Sequence, residues 1–142
     1  MKNLIITLML LASTTIFAQN WQTNFEKAKE MAKENNQKII LVFQGSDWCA
    51  PCIKLDNEIW SSQEFKTYAK ENYVMLKADF PRRRKNKLNK EQQKHNDALA
   101  EKYNQEGLFP LVVILDKTGK VLGKIGYKKT NPKEYITMLN TF

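Results

Sequence analysis

The two cysteines of the chain, Cys49 and Cys52, flank Ala50-Pro51 and directly follow Trp48. A disulfide stabilises a fold largely by closing a loop in the unfolded chain, and a loop this short has little entropy to remove. The pair therefore reads as a dithiol that switches between reduced and oxidised forms. Its setting also constrains the fold. Residues 38–43 (Lys-Ile-Ile-Leu-Val-Phe) form an unbroken apolar run of strand length, β-branched in character, as in a strand buried on both faces. Gln44-Gly45-Ser46-Asp47 is a loop leading to the cysteines. Pro51 suits the first turn of a following helix, where its missing N–H would be unpaired anyway.

Around this junction helix and strand alternate. Trp21, Phe25, Ala28, Met31 and Ala32 recur at helical spacing and predict a helix over 21–35. The helix after the cysteines is expected to run to Trp60. Ser61-Ser62 breaks it and caps another over 63–72. Residues 73–78 and 111–115 are two further buried strands. Asp116-Lys117-Thr118-Gly119 is a hairpin turn into a fourth strand, 120–125, with Gly119 free to take positive φ. Thr130-Asn131-Pro132 starts a last helix with Tyr135, Ile136, Met138 and Leu139 on its apolar face. The order α-β-α-β-α-β-β-α implies an α/β fold, a mixed four-stranded sheet with helices on both faces.

The first residues follow a different logic. Met1-Lys2-Asn3 is a short positive segment, residues 4–11 are apolar, and Ile16-Phe17-Ala18 fits a signal-peptidase site. Residues 1–18 are expected to be a cleaved signal peptide, with 19–142 as one mature domain in the periplasm or secreted. An uncleaved N-terminal anchor is the alternative. No cysteine follows the run, so a lipid anchor at this site is excluded. A 42% hydrophobic content is too apolar for a disordered chain, and two cysteines are too few for a disulfide scaffold. Export would place the pair in an oxidising compartment, where a reductant needs an upstream electron-donor protein.

The net charge of +8 is concentrated after residue 79. Arg82, Arg83, Arg84, Lys85, Lys87, Lys90 and Lys94 stand against Asp79 and Glu91, in what reads as a solvated loop entering a polar helix that ends near Tyr103. The sharper reading is docking to an acidic partner or an anionic membrane surface through residues 82–85. Nucleic-acid binding is not expected of an exported chain without an aromatic-basic groove motif. A structural zinc site needs four ligands, whereas the chain offers two cysteines and His95, which is expected to be a plain surface residue. Haem attachment needs a His after the second Cys, and Ile53 is there. No cofactor or metal is expected, and the protein is expected to be a monomer.

From Trp21 to Phe142 the chain resembles the thioredoxin superfamily. A buried strand over 39–43 feeds Trp48-Cys49-Ala50-Pro51-Cys52 at the head of a helix. Gly107-Leu108-Phe109-Pro110 precedes the third strand, where that family has its cis-proline. The turn at 116–120 matches its last hairpin, and Gly126 the glycine that ends its fourth strand. The lead-in Gly45-Ser46-Asp47-Trp48 is similar to the exported bacterial branch. The resemblance implies a thiol-disulfide oxidoreductase acting on protein disulfides. Cys49, expected to be exposed at a helix N-terminus, would attack, and the shielded Cys52 would resolve the mixed disulfide. Pro110 would be cis, the Phe109 backbone would pair with an extended substrate, and Trp48 would wall the groove, unless it is simply a packing aromatic.

Two departures stand out. Cytosolic thioredoxins carry a buried Asp six residues before the first Cys, and Phe43 is there instead. Asp47 and Glu58 are candidate proton acceptors by sequence proximity, an exposed carboxylate being the other reading of each. The basic segment is an insertion before the cis-proline. Ala50-Pro51 offers no charge or donor to hold a thiolate, which points to a reducing pair, nearer about −270 mV than about −120 mV. The expected function is an exported protein-disulfide reductase. The alternatives are an isomerase or oxidase, a copper-handling protein and a peptide-binding module.

Overall fold

The computed structural model describes residues 19–142, and the expected signal segment over 1–18 lies outside them. Strand β1 (Lys38–Gln44) lies inside the sheet, parallel to β2 (Tyr73–Asp79) and antiparallel to β3 (Leu111–Leu115). The hairpin turn then returns β4 (Val121–Ile125) antiparallel to β3, for a strand order β2-β1-β3-β4. Gly119 takes a φ of 94° in that turn, as a side-chain-free residue allows.

Strand alternation divides the core into two layers. Ile40 and Val42 of β1 pack on one face with Leu55 of α2 (Ala50–Leu55), Phe65 of α3 (Gln63–Asn72) and Tyr135 and Leu139 of α5 (Pro132–Leu139). Ile39, Leu41 and Phe43 pack on the other with Ala28 and Ala32 of α1 (Phe25–Asn35) and Leu99 and Tyr103 of α4 (Lys90–Tyr103). Each Leu, Ile, Val or Phe side chain among them, taken fully out of water, contributes about 1.5–3 kcal/mol. The mixed sheet with helices on both faces is thus as the pattern implied.

The helix opened by the cysteines does reach Trp60, but its last turn, Asp56–Trp60, is a π segment in which Ser61 N–H donates to Asp56 O at 2.8 Å. Ile59 and Trp60 from this segment are both buried. Ser62 caps α3 by accepting the Phe65 N–H.

Three expectations need correction. Helix α1 begins at Phe25, not Trp21, because Asn24 caps it by accepting the Lys27 N–H. Gln22 instead bonds β2 edge-on, donating to Met75 O and accepting from Lys77 N–H, and Trp21 packs edge-to-face on Trp60 at 6.1 Å. β4 begins at Val121 rather than 120. His95 is half-buried, not a plain surface residue: its Nε2 accepts the Phe25 N–H at 3.0 Å, so α4 supplies a cap to α1. The buried Asn96 beside it donates to Asp79 O at 2.9 Å, tying α4 to the end of β2.

Candidate active site

The loop between β1 and α2 turns on Gly45, whose carbonyl accepts the N–H groups of Trp48 (3.3 Å) and Cys49 (2.9 Å). Cys49 is thereby left as the N-cap of α2, with Pro51 in the first turn, and its Sγ accepts the Cys52 N–H at 3.3 Å. The two sulfurs are joined as a disulfide, with Cα atoms 5.2 Å apart. Cys49 is not exposed as expected: both cysteines keep only 4% of their accessibility. Two constraints turn the Cys49 sulfur inward, its bond to Cys52 and its capping of the helix. Exposure therefore does not distinguish the two sulfurs here.

Pro110 is buried and its peptide bond with Phe109 is cis. Phe109 is half-buried, and among the described residues no hydrogen bond engages its backbone N–H or carbonyl. Trp48 stands edge-on to Phe109 with ring centres 5.5 Å apart, and its Nε1–H donates to Phe80 O at 2.8 Å. Phe80 meets Phe109 at the same spacing, 5.5 Å. These rings line a groove of about 450 Å³ together with Pro81, Arg82 and Gln93. Trp48 and Phe109 therefore meet at this groove, and Pro110 follows Phe109 through the cis bond.

The basic insertion is exposed in its side chains but fastened in its backbone. The Asp47 carboxylate accepts the N–H groups of Arg82 (2.9 Å) and Arg83 (3.0 Å) and the Asn86 amide (2.9 Å). Ser46 bonds Asp79 through its N–H (2.9 Å) and its hydroxyl (2.6 Å). The Arg82 guanidinium lies 3.6 Å over the Trp48 ring. The Arg82 N–H foremost, then the Asn86 amide, holds the Asp47 carboxyl below its ordinary value of 3.8. Asp47 is thus neither a free surface carboxylate nor a base aimed at Cys52. Glu58 is exposed and accepts the Tyr127 hydroxyl at 2.9 Å.

A second cavity, of about 270 Å³, touches Cys52 and is lined by Trp21, Gln44, Ser46, Asp56 and Lys77. Neither Asp47 nor Glu58 reaches it. Phe43 faces the opposite layer with Leu41, so the β1 residue beside Cys52 is Gln44. Asp56 and Lys77 went unnoticed in the sequence. The signals for them were the four-residue step from Cys52 along a helix and the alternation from Met75 along β2.

A model of the thioredoxin-like family matches residues 20–117. The chain belongs to the thioredoxin-like family. Among curated proteins it is 35% identical over 121 residues to the disulfide bond reductase DsbH of Chlamydia pneumoniae, covering 85% of this chain and 70% of that protein. It is 28% identical to the thioredoxin-related protein DsbJ of the same organism over 75% of this chain, which spans only 30% of DsbJ. A solved structure of a DsbH oxidoreductase superposes with a TM-score of 0.80 at 32% identity, covering 88% of this chain and 84% of that one.

Within this thioredoxin-like frame, two local features shape the site. Phe43 adds to the apolar core instead of carrying a carboxyl, and the polar groups at Cys52 come from β2, the end of β1 and the π segment. The insertion between β2 and α4 is held to the cysteine loop by an aspartate, rather than standing off in solvent.

Proposed function

We propose that this protein is an exported thiol-disulfide oxidoreductase that mainly reduces protein disulfides. The observation that carries the proposal is the Cys49–Cys52 pair at the cap of α2, in a thioredoxin-like chain related to a disulfide bond reductase. Once the pair is reduced, the Cys52 N–H that bonds Cys49 Sγ favours negative charge there, as does the positive end of the helix dipole. The Cys49 thiolate attacks one sulfur of a client disulfide. A mixed disulfide forms and the other client sulfur leaves as a thiolate. Cys52 then loses its proton, its sulfur attacks Cys49 Sγ, and the second client thiolate departs. The client gains two electrons and two protons, and the pair loses the same. An upstream dithiol donor restores it.

The open backbone of Phe109 supports strand-like pairing with the client segment, and Trp48 the groove wall. Asp56, beside Lys77 in the cavity at Cys52, is the proton acceptor in this reading. The reducing direction rests on Ala50-Pro51, which adds neither charge nor side-chain donor between the sulfurs. Export rests on the pattern of residues 1–18.

The test is reduction of insulin disulfides by the dithiothreitol-reduced mature protein, abolished by Cys49→Ser. Cys52→Ser should accumulate mixed disulfides with clients, through Cys49 alone. A glutathione titration placing the pair above about −180 mV would remove the reducing direction in favour of an isomerase or oxidase.

A further inference from the structure

The groove walled by Trp48, the residue before Cys49, carries a cation on that wall. The Arg82 guanidinium carbon lies over the Trp48 indole, 3.6 Å from the ring centre, and its main-chain N–H is held by Asp47. No hydrogen bond or ion pair within the described residues engages the edge of that guanidinium. Its N–H donors thus lie at the groove wall with no partner among the described residues. Arg83, Arg84 and Lys85 follow it, all exposed, and the sole ion pair among the described residues is Lys29–Glu26, elsewhere. Asp47, the carboxylate that holds the main chain here, already spends both oxygens on three donors.

A planar fork of donors held on an aromatic ring matches a carboxylate, which it binds through two parallel bonds. The floor beneath is apolar, formed by Trp48, Phe80, Pro81 and Phe109. We propose that the groove selects extended client segments in which an Asp or Glu lies close to the reacting cysteine, the carboxylate pairing with Arg82 and further acidic residues with Arg83, Arg84 and Lys85. This rests on the oxidoreductase reading and names its substrate class. A protein segment is favoured over a membrane surface because the Arg82 guanidinium sits in a concavity with an apolar floor, walled by the residue before Cys49. A flat anionic surface would need only the exposed outer cations.

The test uses three peptides of one length, each closed by one disulfide and flanked by Glu, Gln or Lys. Reduction by the reduced mature protein should favour the Glu peptide over the Lys peptide by about fivefold or more in kcat/KM at low salt, the ratio shrinking toward one as ionic strength rises. Arg82→Met keeps the apolar cover on Trp48 but removes the donors, and should remove most of the preference. Arg82→Lys should restore part of it. Arg83→Gln with Arg84→Gln, both at exposed positions, should weaken it without altering the fold.

Binding of the same sequences with Ser in place of Cys to the oxidised protein reads the groove without redox chemistry. Preferential binding of the Glu peptide without reduction of any peptide would sink the oxidoreductase reading and keep the groove. Equal reduction and equal binding of the three peptides would overturn the groove proposal and leave the reductase standing. So would sedimentation with phosphatidylglycerol vesicles that Arg82→Met weakens and the Glu peptide does not compete.

Discussion

Gly45→Ala should disassemble the groove wall without touching a cysteine. A Cβ built at Gly45 would stand 2.6 Å from Trp48 Cζ2 and closer still to Cε2 and Nε1. The indole is a rigid plate held on three sides, so it must leave. Its departure forfeits the bond to Phe80 O, worth about 1 kcal/mol net. It also forfeits the Arg82 stack, about 0.5–1 kcal/mol at an exposed site. The edge-to-face contact with Phe109 adds about 0.5–1.5 kcal/mol. The total is about 2–3.5 kcal/mol, which moves a urea midpoint down by about 1–2 M at the usual slope for a domain this size. The assay is urea unfolding of the oxidised protein, with the Trp48 indole N–H followed by NMR. Gly107→Ala is the control, because open space surrounds that position and only its φ of 66° resists a side chain. It should cost about 1–2 kcal/mol and leave the Trp48 signal in place. A Gly45→Ala midpoint within about 0.3 M of the parent, with an unmoved indole resonance, would refute the assignment of Gly45 as the seat of Trp48.

Asp47→Asn should loosen the insertion in a pH-dependent way. The folded carboxyl is held below 3.8, so its stabilisation is fully present above that value and disappears as pH falls through the depressed one. Urea midpoints of parent and variant should therefore differ at pH 7 and converge only as pH falls below 3.8 and through the depressed value; a gap of constant size would contradict this reading. Asp56→Asn should slow resolution rather than attack. With a disulfide peptide in excess, the Cys49 mixed disulfide should build up in rapid acid quench, and an unchanged resolving rate across pH 6–9 would remove Asp56 from that step.

Most of the fold was legible because its signals are local and periodic. The apolar run of β1, the Ser62 and Asn131 caps and the turn ending in Gly119 each follow from neighbours a few residues apart. The start of α1 was misplaced because Trp21 happens to fall in helical phase with Phe25, while Asn24 between them decides the cap. The sulfur pair was legible from spacing, and the cis Phe109–Pro110 bond from resemblance. The fastening of the insertion was not. Asp47 reaches Arg82 and Asn86 across more than thirty positions, and nothing in the local sequence pairs an acid with backbone N–H groups so distant. His95 escaped for the same reason, since its partner on α1 lies seventy positions away.

The two aspartates near the cysteines illustrate how environment divides the work of like side chains. Asp56 faces a cavity that also touches Cys52, where its unengaged oxygen can take a proton. Asp47 is closer to Cys49 in sequence, yet three donors saturate it and lower its affinity for protons, which disqualifies a base. What Asp47 does instead follows from the charge beside it. Four consecutive cations on a free loop repel one another and sample many conformations, and a client carboxylate would have to order them on binding, at about 0.5–1.5 kcal/mol for each immobilised side chain. Tying the main chain at Arg82 and Arg83 removes much of that cost beforehand, and stacking on Trp48 removes it for the one guanidinium that lines the groove. In the proposed function Asp47 is therefore a positioning residue for client binding, and its loss should show in KM, whereas the loss of Asp56 should show in the resolving rate.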